Sequence, residues 1–302
     1  MTTDSDMFAL HLQHVGALLA RHPLEGWLAG LVVASAVGAL ALVGVRAVRR
    51  RSAPLRQRLV QLPMPLPLRL TGDARWVALV AAMAASACAL VLAATGIAQL
   101  AESGRPGGGW GALDDTLAQG LREHAGDGVL RWFAALTHLG DAWALTAGTA
   151  MVAAGLWLRQ HRLLAVAWLV ALAGNGALTR VLKRVFERVR PEHAHGIAEA
   201  SGYSFPSGHS SASMVAYTLL AYLTTRLLPR AWHLPAAVLA AMLVFTIGWS
   251  RVVLHVHYAS DVLAGWLLGA TWMVCTVLIV ESVARWRAPP FAGPPAAAIR
   301  QP

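Results

Sequence analysis

Three short segments carry most of the side chains that could do chemistry. Lys183 is followed by Arg190-Pro191, then comes Pro206-Ser207-Gly208-His209, and last Ser250-Arg251 with His257 and, four positions on, Asp261. Together they hold the ingredients of phosphoryl transfer. Lys183, Arg190 and Arg251 would donate to the non-bridging oxygens of a phosphoryl group, each guanidinium able to grip two oxygens at once. Pro206-Ser207-Gly208 ahead of a helix would offer a hydroxyl and free backbone N–H groups at the positive end of the helix dipole. If residues 257–261 are helical, Asp261 shares a face with His257, so its carboxylate would hold Nδ1–H and leave Nε2 as a nucleophile. His209, at the start of its own helix, would protonate the leaving oxygen.

Each piece alone is ordinary, since Ser-Gly-His is a common cap and Arg-Pro a common helix end. Their clustering changes the balance, because ionisable groups beside membrane spans are costly and mark function. Lys183 is also the one lysine among 25 basic residues, a point charge on a flexible stem where the chain otherwise uses arginine. Arg184, Glu187 and Arg188 read instead as the solvated face of the same helix end. His255 reads as structural, and His193 and His195 lie in a loop with no carboxylate spaced to complete a metal site. No metal and no cofactor is expected.

These segments need a membrane scaffold to hold them. Of 302 residues, 57% are hydrophobic and 13% charged, against roughly a quarter charged in soluble chains. That composition excludes disordered and collagen-like classes. The formal charge of +10 comes without a zinc pattern or a base-reading helix, so no nucleic-acid partner is expected. Cys88 and Cys275 sit in apolar runs and read as packing. The first twenty residues lack the basic start of a cleavable signal.

Stretches free of Asp, Glu, Lys and Arg run over residues 26–45, 76–101, 142–158, 163–179, 209–225, 231–250 and 262–280. Each approaches the about 20 residues that a spanning helix needs, which predicts an all-α bundle of seven membrane helices. With the N-terminus outside, the inner segments hold 15 of the 25 basic residues and two of the 15 acidic ones, as the positive-inside tendency requires. Arg46, Arg49, Arg50, Arg51, Arg56 and Arg58 form the largest inner block. Arg180, Lys183, Arg184, Arg188, Arg190 and Arg251 go against the bias at the outer ends of two spans, and all three chemical segments fall on that outer side.

The expected organisation is an outer N-terminal segment (1–25), an extra span (26–45), a basic cytoplasmic linker (46–75), a six-helix domain (76–285) and a cytoplasmic tail (286–302), with the linker and residues 289–302 poorly ordered. Residues 110–137, with Trp110, Leu113, Leu117, Leu121, Leu130, Trp132 and Phe133 among charges, read either as an amphipathic cover at the outer interface or as a connecting loop.

The three segments resemble the signature of the type 2 phosphatidic acid phosphatase and vanadium haloperoxidase superfamily, with every fixed identity present from Lys183 to Pro191, Pro206 to His209 and Ser250 to Asp261. The likeness covers roughly residues 76–285, and Thr137-His-Leu-Gly140 is similar to a further family feature. It implies a six-helix lipid phosphatase core formed by the last six spans, with the extra N-terminal helix over residues 26–45 and the basic linker 46–75 lying outside that core. It also implies a phosphohistidine on His257, Asp261 as its orienting partner, and His209 as acid and then base. Lys183, Arg190, Ser207, Gly208 and Arg251 would bind the phosphate, with no metal. Seven spans argue against the soluble haloperoxidase branch. The implied partners are membrane lipids and a lipid phosphate substrate, for which undecaprenyl diphosphate, phosphatidylglycerophosphate, phosphatidate and a lipid A phosphate all qualify. The expected location is a bacterial inner membrane with the site facing the periplasm or exterior. The alternative is a non-catalytic lipid-phosphate carrier or scramblase, for which internal repeats and midplane broken helices would be expected.

Overall fold

In hydrocarbon every backbone N–H and C=O must be satisfied within the chain, which leaves the apolar stretches only the helix. The computed structural model describes residues 4–61, 73–105, 108–191 and 200–287, and among these residues there is no strand. The helices are α1 (Asp4–Arg21), α2 (Pro23–Gln61), α3 (Asp73–Ser103), α4 (Gly109–His124), α5 (Asp127–Thr137), α6 (Ala142–Leu158), α7 (Arg162–Phe186), α8 (Gly208–Leu227), α9 (His233–Val253) and α10 (Ala259–Arg287). Five stretches are long and apolar enough to cross a membrane: Pro23–Ala47 in α2, Ala78–Ser103 in α3, Arg162–Phe186 in α7, Arg230–Val253, which is α9 with the helical turn before it, and Ala259–Ala284 in α10. The other two stretches expected to span are helical as well, as α6, only 17 residues long, and α8, whose first turns are Gly208-His209-Ser210-Ser211, but neither is among those five. Large apolar side chains such as Val32, Leu92, Met151 and Val181 stand exposed on the outer faces, as a lipid-facing belt requires.

The apolar part of α2 ends at Ala47, near the expected start of the linker, but residues 46–61 are helical where poor order was expected: α2 continues through Gln61, because its Ala-, Arg-, Leu- and Gln-rich run has good helix propensity and Pro54 does not end it. The expected disorder over residues 289–302 lies outside the described residues, as do His193 and His195.

Helices α8, α9 and α10 form the centre. A Cβ on Gly265 would lie 2.6 Å from the Ser207 carbonyl oxygen, and one on Gly269 would lie 2.6 Å from that of Ser211. Two glycines one turn apart thus let α10 touch the backbone of α8 at its N-terminus. Helix α2 runs antiparallel to α9. Trp249 Nε1 donates to the Pro23 carbonyl at 3.2 Å, Trp27 Nε1 to Thr246 Oγ1 at 3.1 Å, and Arg46 meets His233 at 3.4 Å. The start of α2 therefore shares an end of the bundle with Arg251, while Arg46 lies at the opposite end.

Residues 110–137 are a packed helical cover and not a loop. Leu113, Leu117, Leu121, Leu130 and Phe133 are buried with Val252, Val253, Leu254 and Val256, and α1 closes over α4, where a Cβ on Gly120 would lie 2.6 Å from Ala20. These helices roof the end of the bundle where the chemical segments meet.

Candidate active site

Helix α7 ends at Phe186 because Glu187 takes the left-handed conformation, φ 45°, and the chain then turns across the end of the bundle. Arg190 reaches back over the loop that precedes α8. Its Nε donates to the Gly202 carbonyl at 2.9 Å, and its Nη2 donates to those of Ser201 at 3.1 Å and Tyr203 at 3.2 Å. Gly202, at φ +71°, allows the turn that converges these carbonyls, a conformation that a side chain would disfavour. Lys183, one turn before the end of α7, donates to the carbonyls of Tyr203 and Ser204.

Ser207 caps α8 by accepting from the Ser210 N–H at 3.4 Å and the Ser210 hydroxyl at 3.0 Å. Its own N–H donates to the Asp261 carbonyl at 3.0 Å. The hydroxyl expected to face a phosphate is thus buried in the cap, and the cap is tied to the first turn of α10. Gly208 opens the helix, and His209 follows with Nε2 2.9 Å from Asp141 Oδ1. Gly140 makes room for that imidazole, since a Cβ there would lie 3.1 Å from His209 Cδ2.

Arg251, on the last turn of α9, donates through Nη1 to Thr137 Oγ1 at 2.9 Å. Its buried Nε finds no acceptor among the described residues, a donor that an anion could use. His257 and Asp261 do meet, with Nδ1 to Oδ2 at 3.2 Å, but not on one helix face as expected. His257 precedes α10, and Asp261 in the first turn reaches back to accept from the Tyr258 N–H at 3.0 Å, as in a helix-start capping box. His255, with φ 57°, is buried against the Ala118 carbonyl, consistent with a structural role.

The site is strongly cationic. Burial, then Arg190, Arg251, Lys183 and His209 in turn, hold His257 well below the ordinary histidine value. His257 is therefore held towards its neutral form, the form in which an imidazole has a lone pair to offer. The eight residues expected from the sequence all lie in this one assembly, with Ser207 as the cap of α8 and Gly208 as its first residue.

A model of the family described as the PAP2 superfamily matches residues 162–285. The chain is 32% identical over 154 residues to phosphatidylglycerophosphatase B of Bacillus subtilis, covering 50% of this chain and 75% of that protein. The chain belongs to the PAP2 superfamily. Decaprenylphosphoryl-5-phosphoribose phosphatase of Mycobacterium tuberculosis is 39% identical over 110 residues, 34% of this chain and 56% of that protein. The crystal structure of a transmembrane PAP2-type phosphatidylglycerolphosphate phosphatase from Bacillus subtilis superposes with a TM-score of 0.58 at 26% identity, covering 66% of this chain and 96% of that one. The protein is an integral membrane member of a family in which these relatives are named as lipid phosphatases.

The PAP2 match contains every expected site residue, yet the structure brings further polar residues to them, above all Arg188, Asp114 and Asp141. Arg188 is not solvated. It leaves the helix at Glu187 and turns inward, where Nη1 donates to Asp261 Oδ1 at 2.8 Å and Nη2 to Asp114 Oδ2 at 2.9 Å. Asp114 on α4 also accepts from the Ser260 N–H at 3.1 Å and from its hydroxyl. Asp141 accepts from His209, from His138 Nδ1 at 2.7 Å and from Trp143 Nε1 at 3.0 Å. Partial burial of Asp141 works against these three donors, which prevail and hold the carboxyl below its ordinary value. Asp114 and Asp141 precede the matched region. The available signals were an acid within the apolar stripe Leu113, Leu117, Leu121, and an acid directly after Thr137-His-Leu-Gly140.

Proposed function

We propose that the protein is a membrane lipid phosphate phosphatase working through a phosphohistidine. The observation that carries this reading is the His257–Asp261 pair set among Arg190, Lys183 and Arg251. His257 Nε2 attacks phosphorus and forms the P–N bond as the P–O bond to the lipid breaks, while His209 gives its proton to the leaving oxygen. Asp261 holds Nδ1–H and stabilises the charge left on the imidazole. The three cations hold the non-bridging oxygens, where charge is greatest in the transition state. Water, deprotonated by His209, then attacks phosphorus, the P–N bond breaks, and inorganic phosphate leaves.

The cations supply the charge stabilisation that a metal gives other phosphatases, so we assign a metal-independent mechanism. The catalytic unit is residues 76–285, with α2 an added span. The extra span begins at the site end of the bundle, and Arg46 of the basic block lies at the other. With positive charge inside, this arrangement supports an active site facing the periplasm or exterior of a bacterial cytoplasmic membrane. Substrates of the class suggested by the relatives' names fit: a phosphate on a glycerolipid or polyprenyl carrier, as a monoester or diphosphate.

Detergent-purified protein tests this with phosphatidylglycerophosphate, phosphatidate and undecaprenyl diphosphate, each with EDTA present. Phosphate release that survives EDTA and is lost in His257→Ala is expected. No release from any of the three, or release unchanged in His257→Ala, returns the carrier alternative to first place.

A further inference from the structure

We propose that Asp114, on the roofing helix α4, is a positioning residue for phosphoryl transfer: through Arg188 and Ser260 it fixes the Asp261 carboxylate that orients His257. This rests on the function proposed above and adds a residue outside the region matched by the family.

Asp114 is 1% exposed, and each hydrogen bond it makes is as an acceptor. Its Oδ2 receives Arg188 Nη2 at 2.9 Å and the Ser260 hydroxyl, and its Oδ1 receives the Ser260 N–H at 3.1 Å. Arg188 is shared out in turn. Nη1 serves Asp261 Oδ1 at 2.8 Å and Ser260 Oγ at 2.7 Å, Nη2 serves Asp114 and the Gly104 carbonyl at 2.6 Å, and the guanidinium lies 4.3 Å over the Tyr258 ring. Asp261 is divided as well: Oδ1 takes Arg188, while Oδ2 takes His257 Nδ1 and the Tyr258 N–H. Every oxygen in the relay has its own donors.

An arginine facing a single carboxylate tends to grip both oxygens. With Asp114 occupying one arm of the fork, Arg188 can reach only Oδ1 of Asp261, and Oδ2 is left for His257. Without it, the fork is free to close on Asp261 and draw Oδ2 from the imidazole. A gain in stability does not explain the arrangement, because a buried ion pair roughly repays its own desolvation.

The charge effect has a definite sign. His257 faces Asp261 on α10, Arg190 beyond α7, Lys183 on α7, Arg251 on α9 and His209 on α8. Asp114 faces Arg188 and Ser260, next to Asp115. Removing the Asp114 charge leaves Arg188 less neutralised and cancels more of the Asp261 field at His257. The acid limb of kcat/KM then moves to lower pH. A loosened, wetter site would do the reverse, because relief of burial raises a histidine's pKa.

The test measures kcat and KM against pH for purified wild type, Asp114→Asn, Arg188→Lys and His257→Ala on dioctanoyl phosphatidate in detergent micelles, with thermal unfolding as a check of fold. Expected for Asp114→Asn is a kcat lower by about 10- to 100-fold, the scale of a small misplacement, with KM little changed and the acid limb moved down. Arg188→Lys, which keeps the charge and loses the fork, should lose a similar part of kcat, and it decides the matter if Asp114→Asn does not fold. A kcat within about twofold of wild type in a folded variant, or an acid limb moved upward, overturns the proposal. Activity retained in His257→Ala overturns the phosphohistidine reading itself, a result distinct from an inert Asp114 beside a dead His257→Ala.

Discussion

Arg190 Nη1 lies 3.2 Å from His257 Nε2, and this contact settles the tautomer of the imidazole. A guanidinium only donates, so Nε2 must accept, the ring proton must sit on Nδ1, and Nδ1–H points to Asp261 Oδ2 at 3.2 Å. In the proposed mechanism the lone pair that attacks phosphorus is therefore the one that Arg190, a proposed phosphate-binding cation, holds in the resting site. A phosphoryl group entering between them takes over the arginine's donors and meets the lone pair.

The acid limb of kcat/KM should lie below the ordinary histidine value of about 6.5, because burial, Arg190, Arg251 and Lys183 all disfavour the protonated form of His257. The sign follows from the proposed mechanism: it makes neutral His257 the active form, and a lowered pKa keeps it neutral further into acid. Removing one cation in Arg190→Gln should move the limb upward while lowering the rate. A limb at or above the ordinary value in wild type, or one that stays put in the variant, would contradict the stated electrostatics.

General acid catalysis by His209 matters in proportion to how poor the leaving group is. His209→Ala should lose about 10²- to 10⁴-fold on an alkyl phosphate such as dioctanoyl phosphatidate, and much less on p-nitrophenyl phosphate. Asp141→Asn, which removes the carboxylate holding His209 at 2.9 Å, should show the same pattern more weakly. Equal losses on both substrates would show that these residues bind phosphate and transfer no proton.

The contact of Gly265 with the Ser207 carbonyl leaves no space for a side chain. Gly265→Val should push the cap of α8 away from α10, costing about 1–3 kcal/mol of stability and lowering kcat more than it raises KM. The equivalent change at Gly148, where an added Cβ would meet nothing within 4 Å, should be nearly silent by thermal unfolding and by rate. Similar losses at both positions would remove the reason for placing the site at that helix contact.

Orientation can be read by thiol labelling of intact cells in a Cys88→Ala, Cys275→Ala background. Cysteine at Asp127, beside the roof, should react with an impermeant reagent, and cysteine at Arg230 only after the cells are opened. The reverse pattern would put the active site in the cytoplasm.

The grouping of the eight candidate residues was legible because their spacing survives any helix boundary error, and the seven apolar runs because a membrane demands length. What lay hidden depended on how helices end. Arg188 reads as solvated if α7 continues, but Glu187 at φ 45° stops the helix and turns Arg188 into the interior. The shared helix face for His257 and Asp261 depended on residues 257–261 being helical; the contact forms instead across a helix start, with Asp261 reaching back, which a helical face count does not show. Asp114 and Asp141 belong to segments far away in sequence, and only packing of the roof and of the α6 entrance brings them in. Helix α2 outran its apolar run because arginine and glutamine continue a helix as readily as leucine does.

The central claim is a covalent phosphate on His257. The direct measurement is an alkaline quench during turnover of radiolabelled phosphatidate with EDTA present, comparing wild type with His257→Ala. The account predicts acid-labile, base-stable label on the wild-type protein, mapping to the peptide that contains His257, and none on the variant. Steady phosphate release with no trapped label, or label that persists in His257→Ala, would contradict it.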